Sequence, residues 1–151
     1  LQALIPEYDL RENLALHGGG SRQGLMHWER LEHSVLTVLR AFDVRAPNAR
    51  VRIATLSGGN QQKFVYAREL EDQPELLVAV NPTRGLDVRA SLALTTRLRA
   101  ARDAGMAVIV HSSDVEELLS LSDRMLVAYA GTVSAVPRDH DAIRRAMVGA
   151  A

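Results

Sequence analysis

Cysteine is absent from the 151-residue sequence, which excludes disulfides and thiolate metal sites and suits a reducing compartment. An excess charge of either sign is missing too. Eighteen basic and eighteen acidic side chains leave a formal charge of zero, so no global field draws the chain to nucleic acid or an anionic lipid surface, and neither is expected as a partner. No apolar run approaches the roughly 18 residues of a membrane helix, and the N-terminus lacks the basic and apolar regions of a signal peptide. A soluble, cytosolic chain is therefore expected. It opens on Leu1 rather than Met, as expected of an excised or processed piece of something longer. Internal repeats are lacking. So is any G-x-x-x-x-G-K-[ST] string, the loop that cradles phosphates and reaches them with its lysine. Lys63 is the only lysine in the chain.

What is present suits one ordinary folded domain. Hydrophobic residues make up 47% and charged residues 24% of the sequence, enough apolar content to escape disorder. A compact chain of this size buries roughly 70% of its unfolded surface, so a real core is available.

The pattern changes near residue 50. Before it, a short apolar segment around Leu10, Leu14 and Leu16 leads through the glycine-rich "HGGGSRQG" (17–24) to Trp28, Leu31, Val35, Val38 and Phe42. Their three- and four-residue spacing, with Glu29, Arg30, Glu32 and Arg40 between, predicts an amphipathic helix. After residue 50 strands and helices alternate. "KFVYAREL" continues a helix opened at Ser57, and "LLVAV" (76–80), stopped by Asn81-Pro82, reads as a buried strand. Residues 88–105 are helical and close at Gly105. "MAVIVHS" (106–112) reads as a second buried strand, and Ser113 with Glu116 spells a capping box that starts the next helix. Residues 124–136 form two strands around Ala130-Gly131, and a last helix near 138–148 follows Pro137. Such alternation implies an α/β fold, a parallel sheet flanked by helices. Function in such a sheet sits beyond the C-terminal strand ends, here the turns after Val80 and Ser112.

The stretch "TLSGGNQQKFVYAREL" (55–70) carries the most chemistry. Ser57 is a good N-cap, and Gly58 and Gly59 let backbone amides approach a ligand with no side chain in the way. A helix N-terminus offers unpaired donors and about half a positive charge, so the turn suits an anion such as phosphate. A capped helix after a glycine turn is the plainer reading of the same residues.

Context favours the anion. "LSGGNQQK" (56–63) resembles the signature motif of ABC-type ATPases, in the version typical of subunits that drive sugar and nucleoside importers. The strand "LLVAV" then runs into "NPTRGLD" (81–87), which resembles that family's Walker B strand and D-loop. "VIVHSSDVEELLSLSDRMLVAYAG" (108–131) resembles its switch strand, the following helix and the next strand. Upstream, "LIPEYDLRENLAL" and "FDVRAP" look like the helical subdomain of the second nucleotide-binding domain in importers that fuse two. The resemblance covers nearly the whole chain. It implies a helical subdomain with the signature over 1–72 and the distal part of the α/β catalytic core over 73–151, a partial P-loop nucleotide-binding domain without its Walker A part.

The departures from the family pattern bear on mechanism. Where the family places a magnesium-supporting Asp and then a catalytic Glu, Val80 and Asn81 stand. Valine cannot support a hydrated cation, and an asparagine amide is no general base. The family's switch histidine aligns with Ser113, while His111 falls two residues early, where a packed or edge residue is the ordinary reading. The chain's own catalytic site is therefore expected to be degenerate, with no metal site of its own and no nucleotide bound by the chain alone. In the family two such domains sandwich ATP with magnesium head to tail, each giving its signature to the other. The resemblance thus implies that Ser57, Gly58, Gly59, Asn60 and Gln61 meet nucleotide in trans, with Gly85 and Asp87 of the D-loop facing the same partner. Asp87 has a plainer role available, as cap of the helix from Val88. The implied partners are a second nucleotide-binding domain and membrane-spanning permease subunits, at the cytoplasmic face of a membrane.

Two rival functions remain. "HGGG" (17–20) matches an esterase oxyanion motif with Ser57 as nucleophile, but G-x-S-x-G fails at Thr55. The other rival is a non-catalytic remnant acting as a structural or regulatory module.

Overall fold

The computed structural model describes residues 4–17, 24–71 and 73–150. Most of the glycine-rich connection 17–24 and of the HGGG string, and Asp72 at the expected subdomain boundary, lie outside the described residues. The chain forms two compact units, the first of residues 1–74 with 85–87 and the second of residues 75–84 with 88–151.

The first unit is helical. Its helices are α1 (Leu10–Leu16), α2 (Trp28–Ala41) and α3 (Gly58–Glu71). Asp9 and Glu12 cap α1 reciprocally: the Glu12 N–H donates to the Asp9 carboxylate, and the Asp9 N–H donates to that of Glu12. Burial opposes the charge on Asp9, but the Arg11 guanidinium and the Glu12 amide outweigh it and hold the carboxyl below its ordinary range. Arg11 also lies over the Trp28 ring at 5.5 Å from its centroid. Along α2 the expected periodicity holds, with Val35, Val38 and Leu39 buried, while Trp28 at the helix start is exposed. They pack with Leu10, Leu14, Ile53, Leu56 and Phe64 into one core.

Two polar residues that periodicity does not single out complete this core. Asn13 is fully buried. Its oxygen accepts from the Ile5 N–H at 2.9 Å and its amide donates to the carbonyls of Ile5, Tyr8 and Asp9. One side chain thus satisfies the chain turn that enters α1, as buried polar groups require. Arg68, also buried, pairs with Glu69 and donates to the Asn13 carbonyl, tying α3 to α1.

The second unit contains β1 (Leu76–Val80), α4 (Val88–Asp103), β2 (Ala107–His111), α5 (Val115–Leu121), β3 (Met125–Tyr129), β4 (Thr132–Val136) and α6 (His140–Met147). β1 and β2 pair in parallel, Leu76 opposite Ala107 through Val80 opposite His111. β3 and β4 form a separate antiparallel hairpin whose turn, Ala130 and Gly131, has both residues at positive φ, the backbone of a type I′ turn. Gly105 follows the end of α4 as expected, at φ +100°.

Among the described residues the parallel sheet consists of two strands, and the third and fourth pair around Ala130-Gly131 as expected. Two expectations are corrected in this unit. The first two strands are not buried on both faces: Leu77 and Ala79 are covered, whereas Leu76, Val78, Val80 and Ile109 are exposed, because among the described residues nothing lies over that face. The cap of α5 is Asp114 rather than Ser113, its carboxylate accepting from the Glu117 N–H. This one-residue shift aims Val115, Leu118 and Leu119 at the hairpin, where they pack with Met125, Val127 and Ile143.

Candidate functional site

The signature turn stands at the N-terminus of α3. The first helical bond runs from the Gln61 N–H to the Ser57 carbonyl at 2.9 Å. The amides of Gly58, Gly59 and Asn60 therefore lie ahead of the helix's own acceptors. Ser57 and Gly58 are exposed, and a methyl group placed on Gly58 would meet nothing within 4 Å. Around the open end the side chains are tied down. Asn60 donates from Nδ2 to Ser57 Oγ and accepts at Oδ1 from the Arg45 N–H, while Gln61 donates to the Leu56 carbonyl. Lys63 reaches the carbonyl and carboxylate of Asp43. So Asn60, Gln61 and Lys63 hold the turn's shape, and Ser57 with the two glycines presents it.

Gly85 of the D-loop joins this surface. It clusters with the first unit, apart from the strand that precedes it in sequence. A methyl group on Gly59 would stand 4.0 Å from the Gly85 carbonyl oxygen, and one on Gly85 would stand 3.8 Å from Gln62 Oε1. Gly85 has φ +78°, a conformation that favours glycine. Signature and D-loop are thus neighbours within one unit, which spacing along the chain does not disclose. Asp87 precedes the first residue of α4 and is exposed.

The strand-end turn in the second unit has a different chemistry. Val80 ends β1 with 61% of its surface exposed. Asn81 adopts φ +47°, which asparagine tolerates, and its N–H donates to the His111 carbonyl at 2.7 Å. The turn is held from α5, where Glu117 Oε1 accepts from the Thr83 N–H at 3.2 Å. Ser112 Oγ accepts from the Asp114 N–H, and Ser113 and His111 are exposed. A magnesium ion does not fit this turn: Val80 and Asn81 bring it no carboxylate, and the nearby Glu117 is engaged with the Thr83 amide. Among the described residues no group of three or more His, Cys, Asp or Glu could hold a metal. A phosphate does fit the signature turn, where exposed backbone donors meet open space.

No family profile matches the chain. Individual proteins do. The nucleoside import ATP-binding protein NupA of Lactococcus lactis subsp. cremoris is 38% identical over 137 residues, covering 88% of this chain and 27% of that protein. The guanosine import ATP-binding protein NupO of Bacillus subtilis is 37% identical, covering 87% and 27%. A ribose import ATP-binding protein RbsA of Bacillus cereus is 32% identical, covering 99% and 31%. In each the match lies in the C-terminal part. Among solved structures, the ATP-binding cassette MJ0796 in a dimeric post-hydrolysis state bound to ADP and Pi superposes with a TM-score of 0.71. It shares 24% identity, and the match covers 87% of this chain and 58% of that one.

The chain has the fold of part of an ABC-type ATP-binding cassette. It is homologous to the ATP-binding proteins of sugar and nucleoside importers, and it spans about a quarter to a third of the length of those relatives. Among its described residues, no helix of this cassette segment is long and apolar enough to cross a membrane.

Proposed function

We propose that this segment belongs to the ATP-binding subunit of a sugar or nucleoside importer and completes the nucleotide site of a second cassette. The first unit acts as the signature-bearing helical subdomain, and the second as the distal part of the catalytic core. Ser57, Gly58 and Gly59 meet the γ-phosphate held by the partner, with the Ser57 hydroxyl and the amides at the start of α3 as donors. Asn60 and Gln61 fix that geometry from behind. Gly85 and Asp87 face the same partner beside the signature. ATP with magnesium, bound at this composite interface, supplies the phosphoryl group whose transfer to water drives transport. Donors held ready where charge develops need no reorganisation during the reaction, and this is the electrostatic contribution of the signature.

The segment's own strand-end turn takes no catalytic part in this reading, because Val80, Asn81 and Ser113 stand where a metal ligand, a base and a switch histidine would be needed. Permease subunits complete the assembly at the cytoplasmic face of the membrane.

The observation that carries the proposal is the contrast within one chain: an uncrowded, exposed Gly58 in the signature turn, against an exposed valine at the end of β1. Steady-state ATP hydrolysis by the assembled two-cassette protein tests it. Ser57→Arg, which fills the donor turn with a large side chain, should lower turnover roughly a hundredfold, the scale seen when a preorganised donor is lost. Unchanged turnover would sink the proposal.

A further inference from the structure

A serine hydroxyl has one proton to give and two lone pairs to offer, and the surroundings of Ser57 decide which of these faces outward. Asn60 Nδ2 donates to Ser57 Oγ at 3.1 Å. The direction of that amide is fixed, because Asn60 Oδ1 accepts from the Arg45 N–H at 2.9 Å. A backbone N–H can only donate, so turning the amide over would set two donors against each other. The group that faces Ser57 is therefore the NH2. With one lone pair of Ser57 taken in this way, the hydroxyl proton turns away from Asn60, and among the described residues it meets no acceptor. The exposed Ser57 thus presents a donor.

The strap that fixes Asn60 is itself held. Residues 43–45 leave the end of α2, where the Val44 N–H donates to the Leu39 carbonyl at 2.9 Å. Asp43 stands there at φ +48°, a backbone that few residues with a side chain adopt. Lys63 Nζ donates to the Asp43 carbonyl at 3.0 Å and lies 3.3 Å from its carboxylate. The Asp43 side chain is 78% exposed, so the ion pair adds little and the bond to the carbonyl is the hold. Asn60 and Lys63 stand three residues apart on α3 and so share one side of the helix. Both bond to the same strap. Lys63 is the only lysine in the chain, and its ammonium is engaged here.

We propose that Lys63 is a positioning residue for the signature: through the 43–45 strap and Asn60 it keeps the Ser57 hydroxyl aimed outward as a donor. The class of ligand group follows from that polarity. The oxygen that meets Ser57 must be an acceptor, which a fully ionised phosphate offers in every direction, whereas a P–OH aimed at Ser57 would set proton against proton. The inference rests on the reading that the signature meets a γ-phosphate held by a partner cassette, and it adds what sets the direction of the hydroxyl.

Steady-state ATP hydrolysis by the assembled two-cassette protein, with kcat and KM read separately, tests the relay. Lys63→Ala should lower kcat about tenfold and change KM for ATP by less than about twofold, since a misaimed donor weakens the transition state more than the binding of nucleotide to the partner. Lys63→Arg can still donate to the Asp43 carbonyl and should recover most of that loss. On a Ser57→Ala background no hydroxyl remains to aim, so Lys63→Ala should there cost less than a further factor of about two. A further loss of about tenfold on that background would overturn the proposal, because Lys63 would then act on the subdomain at large. Full turnover in Lys63→Ala, beside the loss expected of Ser57→Arg, would overturn it too and leave the signature's role in trans standing.

Discussion

The two units of this chain bury their apolar residues to very different degrees. In the first, a continuous core runs from Leu10 to Ala67, and its buried polar groups Asn13 and Arg68 find partners inside the same unit. In the second, β1 and β2 leave every other residue open on one face, while Leu77, Ala79, Leu94 and Leu98 are buried and the hairpin with α5 and α6 has a closed cluster. The lesson concerns completeness. The first unit presents the signature from a self-sufficient scaffold, whereas the second holds a sheet that two strands cannot finish.

Disturbing the closed unit should cost most. Phe64 is fully buried where α3 meets the core, and Phe64→Ala should destabilise the first unit by about 3–5 kcal/mol in urea unfolding. A loss under about 1 kcal/mol would mean that this core is looser than its burial indicates. Asn13→Ala comes next. It removes the side-chain acceptor of the buried Ile5 N–H and one of two donors from each of three carbonyls, at about 1–3 kcal/mol, and the contrast would blur if the variant unfolded together with the wild type.

The open unit should barely notice a comparable change. Val78 is exposed on β1, so Val78→Thr should shift the unfolding of this chain by less than about 0.5 kcal/mol. A larger penalty would show that the face is covered after all.

Smallest is the effect of pH. The Asp9 carboxyl titrates below its unfolded value, so its contribution is fully present above the ordinary carboxylate range and is lost as pH falls through the lower, folded-state value. Asp9→Asn should flatten that acid-side loss in the first unit, and an unchanged acid limb would assign the sensitivity elsewhere.

Much of this was legible in the sequence, and what was not has a common cause. Spacing located α2, the strands and the Ala130-Gly131 hairpin turn because those features are set within a few residues. The capping of α5 was misplaced by one residue because Ser113 and Asp114 are both competent caps, and the packing of Val115 and Leu118 decides between them. The roles of Asn13 and Arg68, and the position of Gly85 beside Gly59, depend on partners far along the chain. The short apolar runs suggested strands covered on both faces, since composition reports what a strand prefers and not whether its cover is present. At the candidate site, the motif order gave the residue types, while the structure added that Asn60 and Gln61 support the turn from behind.

The central claim is that this segment contributes its signature and not its strand-end turn to hydrolysis. The most direct measurement is ATP turnover by the assembled two-cassette protein carrying either Gly58→Gln or Val80→Ala. The account predicts a loss of roughly a hundredfold for Gly58→Gln and a change of less than about twofold for Val80→Ala. Equal losses, or a loss confined to Val80→Ala, would contradict it.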